Sequence, residues 1–190
     1  IEGVCGPFLM IVSGGNSANL PWALGEHATG RVNDLRLGEA ILLGVEPVSG
    51  DQISGMHTDA FTLVAEVIET NAKPPPSAIA LVNPTPGPLR IVTHSGASAR
   101  MILAMGHQDT DIPGLSLPVG CTLIGATSDH LVVGVNRCTL KSGSEVRFQM
   151  NYKALMHAMA APDIEVTLLG DQSMRPSRRA QSKVNLLALV

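Results

Sequence analysis

The sequence predicts an α/β portion over residues 1–50, followed by a mostly β domain over residues 51–170. Before Gly44, apolar runs alternate with Gly-containing turns and short helical segments, which is typical of α/β repeats. After Gly44, short strand-like runs are separated by Gly and Pro, which is typical of a small β-domain. The 45% hydrophobic content allows a folded core, and the 3% aromatic content means that Val, Leu, Ile, Ala and Met build it.

The first predicted unit begins with the apolar run Phe8–Val12, which the turn Ser13–Gly15 closes. A continuous apolar run of this length is typical of a strand buried on both faces, as in parallel sheets. Asn16 and Ser17 then offer an N-cap for a short helix over Ala18–Leu24.

A second unit follows, with a predicted strand over Val32–Leu37, the turn Gly38–Glu39 and a predicted helix over Ala40–Leu43. Two strand–helix units cannot close a sheet by themselves, so we expect the chain to begin inside a larger domain. The first residue, Ile1 in place of Met, favours a truncated protein over a natural half.

The β portion begins with the alternating run Phe61–Glu69. Further predicted strands are Arg100–Met105, Thr122–Gly125, Leu131–Val135, Glu145–Met150 and Ile164–Leu169. Proline runs at Pro74–Pro76 and Asn83–Pro88 interrupt regular structure, and Asn151–Ala160 has helical composition. We expect the tail, residues 171–190, to be loosely ordered, because it begins with a basic, breaker-rich stretch.

Charge and cysteine content limit the function classes. A net charge of −3 and a pI near 6.0 argue against nucleic acid as a partner. No stretch approaches the roughly 20 apolar residues of a membrane span, and the start lacks a signal-peptide pattern. Cys5, Cys121 and Cys138 show no C-x-x-C spacing, so we expect free thiols, no zinc site and a cytoplasmic protein.

Two features of the α/β portion suggest ligand chemistry. The small-residue turn Ser13–Ser17 lies between a predicted strand and a predicted helix, where backbone N–H groups can bind an anion, although many such turns are only turns. Arg36 lies in the middle of an apolar predicted strand, where burying an unpaired guanidinium is costly. Arg36 therefore either pairs with a carboxylate or faces a polar ligand.

Five blocks of sequence resemble the ornithine-racemase-like branch of the alanine racemase family. They are VSGGNSANLPWAL (Val12–Leu24), NDLRLGEAILLG (Asn33–Gly44), HTDAFTLVAEVIE (His57–Glu69), GATSDHLVV (Gly125–Val133) and VRFQMNYKALMHAM (Val146–Met159). The resemblance runs from about residue 8 to about residue 169 and covers the C-terminal half of the family. It implies that residues 1–50 are the last βα units of a (β/α)8 barrel, whose N-terminal half is missing, and that a β-domain follows.

The resemblance also implies a pyridoxal 5'-phosphate cofactor and no metal. Ser17 matches the residue whose hydroxyl and amide hold the cofactor phosphate. Gly38 and Glu39 match the second phosphate turn, and Tyr152 resembles the tyrosine whose phenol binds the same phosphate. Arg36 matches the arginine that faces the pyridine nitrogen, where a permanent cation disfavours protonation of the ring.

Racemisation of an amino acid needs two acid/base groups, one on each face of the substrate. The resemblance places His107 at the position of the second base, which the partner subunit of a homodimer supplies; an exposed or structural histidine is the alternative. Asp129 matches a substrate-side aspartate that can bind the distal amine of ornithine or lysine. A turn-forming Asp-His pair is the alternative reading for Asp129.

The lysine that binds the cofactor belongs to the first barrel strand of the family, which this chain lacks. The lysines of the chain are Lys73, Lys141, Lys153 and Lys183, and none lies in a matching motif. We therefore expect this chain alone to be inactive and the intact protein to interconvert L- and D-amino acids. The alternatives are a non-catalytic binding or dimerisation module of the same family and a β-domain with an unrelated small-molecule role.

Overall fold

The computed structural model describes residues 10–71, 79–80, 91–92, 99–136, 140–169 and 184–189. The chain divides into two compact units between Ala60 and Phe61, later than the boundary predicted after residue 50. Several predictions lie outside the described residues. They concern Phe8, Leu9, both proline runs, Cys5, Cys138 and residues 170–183.

The first unit has the strand–helix–strand–helix order that the sequence predicts. Its elements are β1 (Ser13–Asn16), α1 (Leu20–Leu24), β2 (Asp34–Arg36) and α2 (Glu39–Leu43), with a 3-10 turn over Ser17–Asn19 before α1. β1 and β2 are parallel, with Ser13 opposite Asp34 and Asn16 opposite Arg36. Two consecutive parallel strands joined through a helix form a βαβ connection, which is the repeat of an α/β fold.

The prediction of a first strand over residues 8–12 is wrong for its described part. The strand begins at Ser13, and the Met10 side chain is 87% exposed. An asparagine side chain replaces the backbone ladder here, since the Val12 N–H donates to Asn33 Oδ1 at 2.8 Å and Asn33 Nδ2 donates to the Met10 carbonyl at 2.8 Å. The apolar run is therefore bonded to its neighbour without the regular pairing of a strand.

The turn between β1 and α1 is closed by a capping box. The Asn16 side chain accepts from the Ala18 N–H at 3.0 Å, and the Asn19 side chain accepts from the Asn16 N–H at 3.1 Å. Gly15 has a φ of +156°, and a Cβ at this position would lie 2.3 Å from Asn19 Oδ1. A side chain at residue 15 would therefore displace the cap.

The second unit is built from strands and one helix. Its strands are β3 (Phe61–Asn71), β4 (Ile79–Ala80), β5 (Ile91–Val92), β6 (Ala99–Leu103), β7 (Leu115–Ser116), β8 (Cys121–Ala126), β9 (Leu131–Val135), β10 (Glu145–Met150), β11 (Glu165–Leu169) and β12 (Val184–Leu189). The helix is α3 (Tyr152–Ala160), and a 3-10 turn covers Ile112–Gly114. The strands predicted from Phe61 to Leu169 and the predicted helix are confirmed, with shifts of a few residues at most at their ends.

The long strand β3 organises the main sheet. Its first half lies between β12 and β10, and Leu63 is opposite both Leu186 and Phe148. Its second half pairs with β6, and the order continues through β9 to β8, with β7 on the far side of β10. The pairings are antiparallel except for the parallel pair β11–β12. β3 therefore joins β12 and β10, which pair with its first half, to β6, which pairs with its second half.

The core of the second unit covers one face of β10 and both faces of β3, where consecutive residues are buried. Along β10, buried Val146, Phe148 and Met150 alternate with exposed residues, as expected for a half-buried strand. Leu63 and Leu131 are completely buried. Phe148 is the one aromatic residue among the buried residues that the structure describes, so the prediction of a core made from Val, Leu, Ile, Ala and Met is confirmed.

The prediction of a loosely ordered tail is wrong for Val184–Leu189, which form β12. This strand pairs with β3 on one side and with β11 on the other. The backbone of Val184–Leu189 therefore lies between two strands of the sheet. Within the described residues, no helix is long and apolar enough to cross a membrane.

Candidate functional site

The Ser17 hydroxyl joins the two turns that the resemblance assigns to the cofactor phosphate. Its side chain is buried, with 6% exposure, and Oγ accepts hydrogen bonds from the N–H groups of Gly38 and Ala40, each at 3.2 Å. The parallel pairing of β1 with β2 produces this contact, because both turns follow the ends of paired strands. The structure thus brings together Ser17, Gly38 and Glu39.

The hydrogen-bonding capacity of Ser17 is only partly used. A serine hydroxyl has two acceptor lone pairs and one donor proton. The two N–H groups use both lone pairs, and the O–H proton has no acceptor among the described residues. Buried polar groups are rarely left without a partner, so this proton is available to a ligand. An anion such as a phosphate fits this donor, and the first N–H groups of α2 lie in the same turn.

Arg36 requires a correction. The prediction of a buried guanidinium in an apolar strand is wrong, because Arg36 is the last residue of the three-residue strand β2 and its side chain is exposed. In the described residues, β1 and β2 form a two-stranded sheet, so neighbouring strands do not cover the side chain. Among the described residues Arg36 makes no ion pair, which leaves its guanidinium accessible to a ligand.

Tyr152 lies in the second unit as the first residue of α3, where its side chain is half-buried. The preceding Asn151 caps the helix, since its side chain accepts from the Ala154 N–H at 2.9 Å. Within the described chain, no hydrogen bond involves the Tyr152 hydroxyl. Ser17, Arg36, Gly38 and Glu39 belong to the first unit, whereas Tyr152 belongs to the second.

The structure does bring His107 and Asp129 to one end of the sheet in the second unit. The loop after β6 lies against the turn between β8 and β9. The His107 N–H donates to the Thr127 carbonyl at 2.9 Å, and the Gln108 N–H donates to the Ser128 carbonyl at 2.9 Å. The His107 side chain is exposed, as either reading of this residue requires.

Asp129 lies at the tip of the turn between β8 and β9 with polar neighbours. One carboxylate oxygen accepts from the Ser128 hydroxyl, and the other lies 3.8 Å from Nδ1 of His130. The Thr127 N–H donates to the His130 carbonyl at 2.8 Å, which closes the turn. The Asp129 side chain is 55% exposed, so its carboxylate is both a turn residue and accessible to a cation.

Sequence reasoning missed Asp109, which is 5% exposed. Its Oδ2 accepts from the Gly106 N–H at 2.8 Å. Burial raises the pKa of this carboxyl above its usual value, the Gly106 bond lowers it, and the Asp163 and Asp129 carboxylates raise it further. The only sequence signal was a carboxylate close after glycine in Gly106–Asp109, which predicts a turn but not burial.

Glu46 is a second missed residue, in the first unit. Its carboxylate accepts from the Ser49 N–H at 2.6 Å and the Val48 N–H at 3.0 Å, which closes the turn after α2. These backbone hydrogen bonds lower the pKa of Glu46 below its usual value. A glutamate two residues before Val48 carries no distinctive sequence pattern, so the turn could not be predicted.

Within the described residues, neither a group of metal-ligating side chains nor the cavity of the first unit includes the predicted site residues. In the part of the chain that the structure describes, no three His, Cys, Asp or Glu side chains are grouped to hold a metal ion. A cavity of about 230 Å³ in the first unit has none of the predicted site residues in its lining. Its lining is Trp22, Ala23, Thr29, Val32, Asn33, Asp34 and Leu35.

Two curated proteins are similar to most of the chain. The ornithine racemase of Acetoanaerobium sticklandii is 38% identical over 166 residues, which cover 85% of this chain and 46% of that protein. The lysine racemase of Thermotoga maritima is 38% identical over 160 residues, which cover 82% of this chain and 44% of that protein. The chain therefore spans about half the length of the curated relatives it matches.

These relatives define the class: the chain belongs to the family of the ornithine and lysine racemases. The resemblance to the ornithine-racemase-like branch of the alanine racemase family is thereby confirmed. No protein-family model matches the chain. A crystal structure of alanine racemase from Oenococcus oeni aligns with 75% of this chain and 37% of that one, at 18% identity and a TM-score of 0.39, which is too low to establish a shared fold.

Proposed function

We propose that this chain is part of a pyridoxal-phosphate-dependent amino-acid racemase whose substrate has a cationic side chain. The substrate class is supported by the names of the two relatives, ornithine racemase and lysine racemase. The observation that carries the cofactor assignment is the buried Ser17 hydroxyl, whose proton has no acceptor among the described residues. In this proposal, residues 1–50 are the last βα units of a (β/α)8 barrel, and the β-domain follows.

The phosphate of the cofactor is held at the turn that joins Ser17 to α2. The Ser17 hydroxyl donates a hydrogen bond to a phosphate oxygen, while its oxygen still accepts from the N–H groups of Gly38 and Ala40. The Glu39 N–H, at the first position of α2, is a second donor, because the first N–H groups of a helix have no intrahelical partner. The Tyr152 phenol, in the second unit, is assigned by the resemblance as another hydrogen-bond donor to the cofactor phosphate.

Arg36 faces the pyridine nitrogen of the cofactor in this proposal. Its exposed guanidinium, which makes no ion pair within the described residues, supports an assignment toward a ligand. A guanidinium is a permanent cation with N–H donors and no acceptor, so it disfavours protonation of the ring nitrogen that it faces. This limits side reactions such as transamination.

Proton transfer at the substrate α-carbon is assigned to His107 on one face. Pyridoxal phosphate, when bound, supplies an electron sink for the charge that develops at that carbon. The His107 imidazole takes or returns the α-proton, since histidine is the side chain that most often serves as a general acid or base. Its place on an exposed loop supports contact with a substrate. The acid/base group of the other face, a lysine, lies in the half of the family that this chain does not match.

Asp129 is assigned to the distal ammonium of the substrate. An exposed carboxylate at the same end of the sheet as His107 supports this role, because a carboxylate pairs with an ammonium group. The homodimer and the inactivity of this chain alone rest on the resemblance, the cytoplasmic location rests on the sequence pattern, and all three stay predictions.

The test is a racemisation assay of the intact, full-length protein with pyridoxal phosphate. L-ornithine, L-lysine and L-alanine are incubated separately, and the enantiomers are separated by chiral chromatography. We expect the D-enantiomer of ornithine or lysine to accumulate faster than that of alanine. Cofactor binding without conversion of any of these substrates would contradict the enzyme and favour the non-catalytic module.

A further inference from the structure

The loop that carries His107 is fixed to the turn that carries Asp129. Two consecutive amides, those of His107 and Gln108, donate to two consecutive carbonyls, those of Thr127 and Ser128. The approach is so close that a Cβ at residue 106 would lie 2.2 Å from the Ser128 carbonyl oxygen. Glycine at this position is therefore required by the contact, and the backbone of His107 has little freedom.

A buried carboxylate closes the loop from inside. Asp109 Oδ2 accepts from the Gly106 N–H at 2.8 Å, and the Asp109 N–H donates back to the Gly106 carbonyl at 3.1 Å. His107 and Gln108 lie between these two bonds and remain exposed, whereas Asp109 is 5% exposed. These two bonds close a short ring over Gly106–Asp109, which holds the turn.

The next residue anchors the same loop to α3. The Thr110 hydroxyl donates to the Ala154 carbonyl at 3.0 Å, and Thr110 is 1% exposed. Beyond it, Lys153 Nζ lies 2.7 Å from Asp111 Oδ1. Thr110 therefore makes a structural hydrogen bond of similar burial to that of Asp109, but on the far side of the loop from His107.

We propose that Asp109 is a positioning residue for His107, which it holds against the turn of Asp129 through its bond to the Gly106 N–H. This inference rests on the proposed function, since it gives His107 a proton to transfer. Buried Asp109 does not touch the substrate. Its role is to keep the backbone of His107 in place, so that the imidazole stays within reach of the α-carbon; a displacement of about 1 Å costs roughly 100-fold in rate.

The test compares Asp109→Ala with Asp109→Asn and Thr110→Val in the full-length holoenzyme. Racemisation is measured beside the exchange of the α-proton for deuterium with retention of configuration, which the other-face base can still perform. We expect Asp109→Ala to lower racemisation by about 10- to 100-fold with KM changed by less than about 2-fold, and to raise the ratio of exchange to racemisation. Asp109→Asn keeps an acceptor for Gly106 and restores most of the rate.

Thr110→Val is the matched control, because it removes a buried hydrogen bond of the same loop. We expect it to lower the free energy of unfolding while the ratio of exchange to racemisation stays at the wild-type value. An equal change of this ratio in Thr110→Val and Asp109→Ala would overturn the specific role of Asp109. If Asp109→Ala does not fold, Gly106→Ala displaces the loop with the carboxylate intact, and wild-type racemisation in that variant would overturn the proposal.

A measurement without cofactor distinguishes a failure of the positioning role of Asp109 from a failure of the proposed function. Amide hydrogen exchange at His107 and Gln108 should be faster in Asp109→Ala and close to wild type in Asp109→Asn. Unchanged exchange in Asp109→Ala overturns the positioning role even when the wild-type protein is an active racemase. A wild-type protein that racemises no amino acid overturns the proposed function and, with it, the role given to Asp109.

Discussion

The buried hydroxyl of Ser17 accepts a hydrogen bond from the Ala40 N–H at 3.2 Å, across 23 residues of the chain. The same oxygen accepts from the Gly38 N–H, so the end of β1 and the start of α2 are held together by one side chain. Such a contact stabilises the fold and presents a donor proton to a ligand. The two roles can be separated by mutation.

Replacing Ser17 with alanine should lower the free energy of unfolding by about 1–3 kcal/mol, because it leaves two N–H groups without their acceptor. In the intact protein it should also weaken binding of pyridoxal phosphate. Urea unfolding and titration of the cofactor absorbance measure the two effects. Ser13→Ala is the matched control, since Ser13 is an exposed serine of β1, the strand that ends just before Ser17. Equal effects of both substitutions would contradict the role of Ser17.

The buried carboxyl of Asp109 should make stability fall as the pH rises. Burial raises its pKa in the folded state, so the folded chain binds more protons than the unfolded chain between the two pKa values. The contribution of Asp109 to stability is therefore greatest below its unfolded pKa of about 3.9 and decreases as the pH rises through its folded pKa. Free energies of unfolding measured across this range should lose that decrease in Asp109→Asn. An identical pH dependence in both proteins would count against the raised pKa.

The carboxyl of Glu46 should make stability fall as the pH falls, which is opposite to the effect of Asp109. The N–H groups of Ser49 and Val48 lower its pKa in the folded state, so the unfolded chain binds more protons between the two pKa values. Its contribution is present above the unfolded value of about 4.3 and is lost as the pH falls through the lower folded value. Glu46→Gln should flatten this acid loss in urea unfolding, whereas the exposed Glu26→Gln should not. The same flattening in both variants would refute the assignment.

Removal of residues 184–190 should destabilise the β-domain, because β12 lies between β3 and β11. We expect the free energy of unfolding to fall by more than about 2 kcal/mol, since two strand pairings and their burial are lost together. Amide hydrogen exchange along Phe61–Ala65 should become faster. Removal of Val190 alone is the control. Unchanged exchange in the shorter protein would show that β12 is not needed for the sheet.

Local pattern was sufficient for much of the β-domain. The apolar run Leu131–Val135 and the alternation along Glu145–Met150 predicted both strands with the bounds that the structure has. The error at Met10 has a non-local cause, because the Asn33 side chain replaces the strand ladder there. The tail could not be placed for the same reason, since the strand Val184–Leu189 depends on a partner more than a hundred residues earlier.

The candidate site was predictable only in part. The five sequence blocks identified the family, and the contact of Ser17 with the Gly38 turn agrees with a shared phosphate site. Arg36 was expected to be buried because its neighbours are apolar, but burial depends on covering strands that the short strand does not have in the described chain. The burial of Asp109 could not be predicted from the sequence, because it depends on the turn of Ser128 packing against the loop of Asp109.

The measurement that tests the central claim most directly is racemisation of lysine and ornithine by the intact protein, with and without pyridoxal phosphate, followed by chiral chromatography. We predict conversion toward equal amounts of both enantiomers that depends on the cofactor and is strongly reduced in Ser17→Ala and His107→Ala. Failure of the wild-type protein to convert either amino acid, in the presence of bound cofactor, would contradict the account.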